Sequence, residues 1–266
     1  MNIIAIDIGN TNVNIGLFLD GEEQYIKTVP GQNENELAEV LKTAWKQVLG
    51  AKGSENKKVK GTIVASSVKP VWTEVIRKIA EQVSGQKMLV IGEDVPLPMP
   101  VWVDEPTKVG TDRIVAAAAA YAVVKNAVIV ADFGTAVTID LVDEHGVFQG
   151  GVIFPGFELS TLALNEHTAQ LPKVKVTKPT EPYGKNTNDA INCGVYYAAV
   201  AALQEVIRRY AEKIGKWPQT VLTGSAAKLI QSDCEFIDSF VPNLVVKGIV
   251  LAYQKYIEQT NELAEK

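Results

Sequence analysis

The stretch IAIDIGNTNV, Ile4 to Val13, decides the fold. An apolar run reaches Asp7, and then Gly9, Asn10, Thr11 and Asn12 follow in one short loop. A tight turn that begins at an aspartate needs only one or two of these features. A loop of small residues lets backbone N–H groups approach an anion closely, and hydroxyl and amide side chains add donors without bulk. A carboxylate set directly beside a phosphate is repelled by it. The combination makes chemical sense when a divalent cation lies between them, because Mg²⁺ takes one or two carboxylates together with waters and phosphate oxygens. Asp7 to Asn12 therefore reads as a loop for ATP and Mg²⁺, with Asp7 on the metal side.

The same pattern returns farther along the chain. IIAIDIGNTNVNIGLFLDGE near the start matches VIVADFGTAVTIDLVDEHGV from Val128 to Val147. Asp7 aligns with Asp132, Gly9 with Gly134 and Asn10 with Thr135, at a constant offset of 125 residues. A period that long in a chain of 266 residues points to two related domains and not to a solenoid. Each copy predicts a β-hairpin whose first strand ends at the aspartate. Two such domains suggest that their loops face each other across a cleft, since pockets form often at domain interfaces. The boundary is expected near Gly110–Arg113, which gives domains 1–113 and 114–266.

Further strands are expected at Gly61–Ser66, Lys87–Ile91 and Thr220–Thr223. Between them, ENELAEVLKTAWKQVL puts Leu37, Val40, Leu41, Trp45 and Val48 on one helical face. VWTEVIRKIAEQV, after Pro70, does the same with Val71, Val75, Ile76, Ile79 and Val83. Asn188–Ile214 predicts one long or kinked helix containing Gly194, and Asn243–Ala264 a final one. Pro172–Asp189 is a long polar connection suited to a lid or a cleft edge. Strand-rich openings followed by strand–helix units give the α/β class.

Composition narrows the possibilities. The chain is 47% hydrophobic and 21% charged, ordinary for a globular protein. A net charge of −5 argues against a nucleic-acid partner. The two cysteines, Cys193 and Cys234, have no CxxC spacing and read as reduced thiols of a cytoplasmic protein. With His145 and His167 as the only histidines, a zinc site is not expected. The N-terminus enters MNIIAIDIG without a basic n-region, so no secretory signal is expected. The longest apolar run, Ile114–Val124, is 11 residues. That falls short of the ~20 needed to span a bilayer, so an alanine-rich buried helix is expected there and no membrane partner.

VGTDRI, Val109–Ile114, supplies Asp112 and Arg113 from one short loop. Phosphoryl transfer to an alcohol needs a carboxylate near the attacking hydroxyl and cations near the phosphates. The plainer reading is a salt-bridged pair at the start of the alanine helix, where an aspartate is stabilising. TGSAAKL, Thr223–Leu229, is a strand end and small-residue turn that could admit adenosine, or a place for Ser225 to cap a helix.

Taken together, the ordered motifs resemble the type III pantothenate kinases, a family of the acetate and sugar kinase, heat-shock chaperone and actin ATPase superfamily. They are DIGNTN at Asp7–Asn12, SSVKP at Ser66–Pro70, VGTDR at Val109–Arg113 and DFGTA at Asp132–Ala136. They continue with GGVIFPG at Gly150–Gly156, TAQLP at Thr168–Pro172, GKNTNDAINCG at Gly184–Gly194, TGS at Thr223–Ser225 and PNLVVKGI at Pro242–Ile249. The resemblance implies two ribonuclease-H-like domains of the actin-like ATPase fold, a homodimer, and ATP-dependent phosphorylation of pantothenate, the first step of coenzyme A synthesis. It implies that Asp112 is the proton acceptor, with Gly110, Thr111, Arg113 and Thr187 contacting pantothenate. It assigns ATP to Asp7, Ile8, Gly9, Asn10, Thr11, Asn12, Val13 and Asn14, with Thr135 as a second contact. Asp7 is placed near Mg²⁺, and Asp132 near a monovalent cation, K⁺ or NH₄⁺. Two departures stand out: Ser225 replaces a common glycine, and Val103 a common tyrosine. A nucleotide-binding regulatory protein of the same fold, without turnover, is the alternative.

Overall fold

The computed structural model describes residues 1–51 and 61–264. Its first strand, β1 (Asn2–Ile8), is apolar at almost every position because it is central and covered on both faces. β1 pairs antiparallel with β2 (Asn12–Leu19), and β2 antiparallel with β3 (Glu22–Pro30). The chain then runs through α1 (Glu34–Gly50) to β4 (Gly61–Ser67), which lies parallel to β1 on its other side. α2 (Pro70–Ser84) leads to the short β5 (Leu89–Val90), parallel to β4. The first sheet thus has the order β3-β2-β1-β4-β5.

After a single 3₁₀ turn at Pro106–Lys108, α3 (Thr111–Val124) precedes the second sheet. β6 (Val128–Phe133), β7 (Ala136–Val142) and β8 (Phe148–Pro155) form an antiparallel meander. α4 (Phe157–Glu166) and α5 (Thr187–Ile214) intervene before β9 (Gln219–Thr223), which is parallel to β6. α6 (Ala227–Ile230), β10 (Ser239–Phe240) and α7 (Leu244–Ala264) complete the chain. The second sheet has the order β10-β9-β6-β7-β8. Taken in chain order, that is the arrangement of the first sheet repeated, so the duplication expected from the 125-residue offset is present in the topology.

Side chains alternate across the first sheet. Ile4, Ile6 and Ile8 join Leu41, Trp45 and Val48 of α1 and Ile76 and Ala80 of α2 in one core. The opposite face, with Ala5 and Gly16 paired in register, receives α7, which packs against β1, β2 and β4. Small residues there are required: a Cβ on Gly16 would stand 2.5 Å from Val246 Cγ1. In the second sheet Ile129, Ala131, Phe133 and Ile139 pack with Tyr196, Leu203 and Ile207 of α5.

Compact units differ from halves split between 113 and 114. One unit comprises Met1–Pro100, Glu105–Ala119 and Asn243–Lys266, and the other Val101–Asp104 and Ala120–Pro242. The reason is α7, distant in sequence, whose apolar face covers the first sheet. Other expectations shift locally. α1 buries Leu37, Val40, Leu41, Trp45 and Val48 as its period predicts. α2 is rotated and buries Thr73, Ile76 and Ala80, leaving Val71 77% exposed. The Thr73 hydroxyl donates to Ser67 Oγ at 2.6 Å, which turns that edge of the helix inward. Thr111, Asp112 and Arg113 belong to the first turn of α3 and not to a loop. Ser225 does not cap α6: Ala226 stands at the cap, with no side-chain hydrogen bond.

Among the described residues, α5 alone is long and apolar enough to cross a membrane. In this fold its apolar side, with Leu203 and Ile207, is core.

Candidate active site

Strand register assembles the first part of the site. Asp7 on β1 pairs directly with Asn14 on β2, and Asn14 with Thr28 on β3. On its other side Asp7 pairs with Ser66 on β4. Residues in one register row point to one face, so Thr28, Asn14, Asp7 and Ser66 form a polar row across four strands. Three of its members are joined by hydrogen bonds. Thr28 Oγ1 donates to Asn14 Oδ1 at 2.8 Å, and Asn14 Nδ2 donates to Asp7 Oδ2 at 2.9 Å. Ser66 is fully buried, and its hydroxyl lies 2.8 Å from that of Thr111. Thr111 Oγ1 also donates to the Ser67 carbonyl at 3.2 Å. The first turn of α3 is thereby fastened to the end of β4, beside Asp7.

Asp112 follows on that turn. Its Oδ1 accepts the Arg113 N–H at 2.8 Å. A Cβ on Gly110 would crowd the same oxygen and displace the Asp112 carboxylate. Burial pushes the Asp112 carboxyl upward, against the lowering effect of the Arg113 N–H and guanidinium. Burial also pushes Asp7 up, to about 6, the Asn14 bond opposing it and the nearby Asp112 charge adding to it. Two carboxylates held close with raised pKa values are a setting that a bound cation relieves.

The loop after β1 is held by its main chain. The Gly9 N–H donates to the Asn12 carbonyl at 3.1 Å, and the Gly31 N–H to the Thr11 carbonyl at 2.9 Å. Asn10, Thr11 and Asn12 are exposed, whereas the side chains of Ile8 and Val13 lie in the core. Ile8 and Val13 can therefore offer a ligand only their main chain. Lys69 Nζ reaches the Asn10 carbonyl at 3.3 Å.

The second unit repeats this loop. Gly134 donates to the Ala136 carbonyl at 3.2 Å and Gly156 to the Thr135 carbonyl at 3.0 Å. Gly31 follows Pro30 at the end of β3, as Gly156 follows Pro155 at the end of β8. This Pro-Gly pair falls at the same 125-residue offset and extends the repeat beyond the hairpin; it was a legible signal that hairpin matching missed. Asp132 pairs in register with Thr138 and Thr223. Gly224, at φ +100, lets the chain pass Asp132, where a Cβ would stand 2.5 Å from Oδ1. Thr135 is exposed in the loop and Thr187 is exposed at the start of α5, behind the Asn186 cap. Thr28 belongs to no sequence motif, and only the register of β3 reveals it.

An open apolar groove of about 520 Å³ lies in the second unit, lined by Phe154, Phe157, Leu164, Ile191, Val195 and Ala198 among others. No titratable side chain lines it. Both cysteines are buried free thiols, and His145 sits in an exposed turn.

Comparison with known proteins adds three findings. The sequence model of the type III pantothenate kinases matches residues 3–209. A conserved protein described as a Baf family transcriptional activator, from Campylobacter jejuni, superposes with a TM-score of 0.56 at 18% identity, covering 97% of this chain and 99% of that one. The ethanolamine utilization protein EutJ from Carboxydothermus hydrogenoformans gives 0.50 at 16% identity, covering 96% and 90%. At these identities the structural likeness speaks to fold alone, the two-domain actin-like ATPase fold.

Proposed function

Because this chain belongs to the type III pantothenate kinase family, we propose a division of labour among its residues for the reaction it catalyses, ATP-dependent phosphorylation of pantothenate at the start of coenzyme A biosynthesis. The pantothenate hydroxyl attacks the γ-phosphate in line. Asp112 orients the hydroxyl and accepts its proton. A carboxylate whose pKa is raised by burial is a stronger base once ionised, which suits it to that step. Gly110, Thr111, Arg113 and Thr187 hold pantothenate. The backbone of Asp7–Asn14 holds the ATP phosphates, and Thr135 makes a second contact.

Asp7 suits Mg²⁺. Its Oδ2 is tied to Asn14, and Oδ1 is left for a cation. No group of three or more metal-ligating side chains occurs among the described residues. That agrees with a metal held by one or two carboxylates and completed by phosphate and water. Bound there, Mg²⁺ offsets charge on the transferring phosphoryl group. Asp132, packed against main chain at Gly224, suits a monovalent cation, K⁺ or NH₄⁺.

The protein works in the cytoplasm as a homodimer, without a nucleic-acid or membrane partner. The net charge of −5 supports the exclusion of nucleic acid, and the apolar groove beside α5 supports a dimer contact. The observation that carries the site assignment is the strand register that sets Asp7 beside Ser66, whose hydroxyl meets that of Thr111 on the turn bearing Asp112. The test is ADP release from ATP with and without pantothenate, in K⁺ and then Na⁺ buffer. Pantothenate-dependent release that requires K⁺ is expected. ATP binding without release in any buffer would favour the regulatory alternative.

A further inference from the structure

We infer that Thr28 is a positioning residue for the metal–nucleotide site, acting through Asn14 to fix which oxygen of Asp7 faces the cation. The inference rests on the assignment of Asp7 to the Mg²⁺ side of the ATP loop. Thr28, Asn14 and Asp7 sit opposite one another on three adjacent strands, so their spacing is set by the sheet and not by a flexible loop. The two hydrogen bonds, 2.8 and 2.9 Å, run in one direction. An ionised carboxylate only accepts, so Asn14 must turn its Nδ2 toward Asp7 and its Oδ1 away. Thr28 supplies the donor that this outward Oδ1 needs. With both ends of the amide engaged, Asp7 Oδ2 is held in place and Oδ1 is the oxygen free to meet a cation.

The repeat sharpens the point. In the second unit, the residue opposite Asp132 is Thr138, and opposite Thr138 stands Ile153. Ile153 is an exposed aliphatic side chain that cannot donate a hydrogen bond. The three-residue polar row therefore belongs to the first copy alone, the copy assigned the divalent ion. A role in folding the hairpin would place no such demand on one copy and not the other.

The test uses the full chain with Thr28→Val, which keeps the shape and removes the hydroxyl, and Thr28→Ser, which restores it. ATP binding is measured by calorimetry with Mg²⁺ and with a chelator, beside kcat and the KM values for ATP and pantothenate. Thr28→Val is expected to weaken Mg²⁺-dependent ATP binding about 3- to 10-fold, the size of one hydrogen bond, and to raise the Mg²⁺ needed for half-maximal rate equally. Metal-free ATP binding and the KM for pantothenate should stay put, and Thr28→Ser should match the wild type. Thr28→Val in an Asn14→Leu background should add nothing, since the two act in one chain. A Mg²⁺-dependent wild type with an indifferent Thr28→Val overturns the inference alone, as does equal loss with and without metal. A wild type whose ATP binding ignores Mg²⁺ overturns the Asp7 assignment and the inference with it.

Discussion

At the scale of single residues, two carboxylates carry different burdens. Asp7 has a folded pKa of about 6 against an ordinary 3.8, so the folded state holds the proton more tightly than the unfolded chain. Its stabilising contribution is complete below pH 3.8 and is lost as pH rises through about 6. Above that, the ionised group costs stability, by about 3 kcal/mol at most. Asp7→Asn should therefore stabilise the ligand-free protein at pH 8, by about 1–3 kcal/mol, while giving no gain near pH 4. Urea melts at the two pH values check this; a gain of equal size at both would show that charge is not the cause. Asp112→Asn should leave the fold intact and lower kcat by roughly 100-fold or more, as loss of a general base does. An unchanged rate removes Asp112 from that role.

At the scale of elements, close approach decides which residues are tolerated. Gly248 of α7 faces the main chain of α3, where a Cβ would collide with the Val115 carbonyl. Gly248→Ala should destabilise the protein by about 1–3 kcal/mol through overpacking, seen as a lower urea midpoint with an unchanged slope. An undisturbed midpoint would mean the helices part freely. The helices also show where periodicity reaches its limit. The face of α1 was legible because six apolar residues fall on one stripe. α2 has apolar residues on more than one side, so the choice among faces fell to the Thr73–Ser67 contact. That contact joins residues on different elements, and no pattern within the helix encodes it.

At the scale of the whole molecule, the first unit depends on the last helix. Tyr253 of α7 meets Thr62 of β4 at 3.1 Å, and Val246 packs at Gly16. A chain ended at Pro242 would leave that face of the first sheet in water, at about 25 cal/mol for each Å² of apolar surface uncovered. Its β1 and β4 amides are then expected to exchange hydrogen at nearly unprotected rates. Protection equal to that of the full chain would show that the first unit folds without α7.

The sequence alone determined the α/β class, the duplication and both hairpins with their aspartates and glycine loops, because these rest on local order: strand alternation, glycine position and a constant offset of 125 residues. It could also mark Asp112 through its motif. The tertiary structure decided which distant pieces meet. Thr28 enters the site because β3 pairs with β2 in one register, a slip of which would send its hydroxyl to the other face. Ser66 and Thr111, 45 residues apart, meet because β4 lies parallel to β1 and ends where α3 begins. α7 joins the first unit because burial is satisfied by whichever apolar face is open, regardless of its distance along the chain.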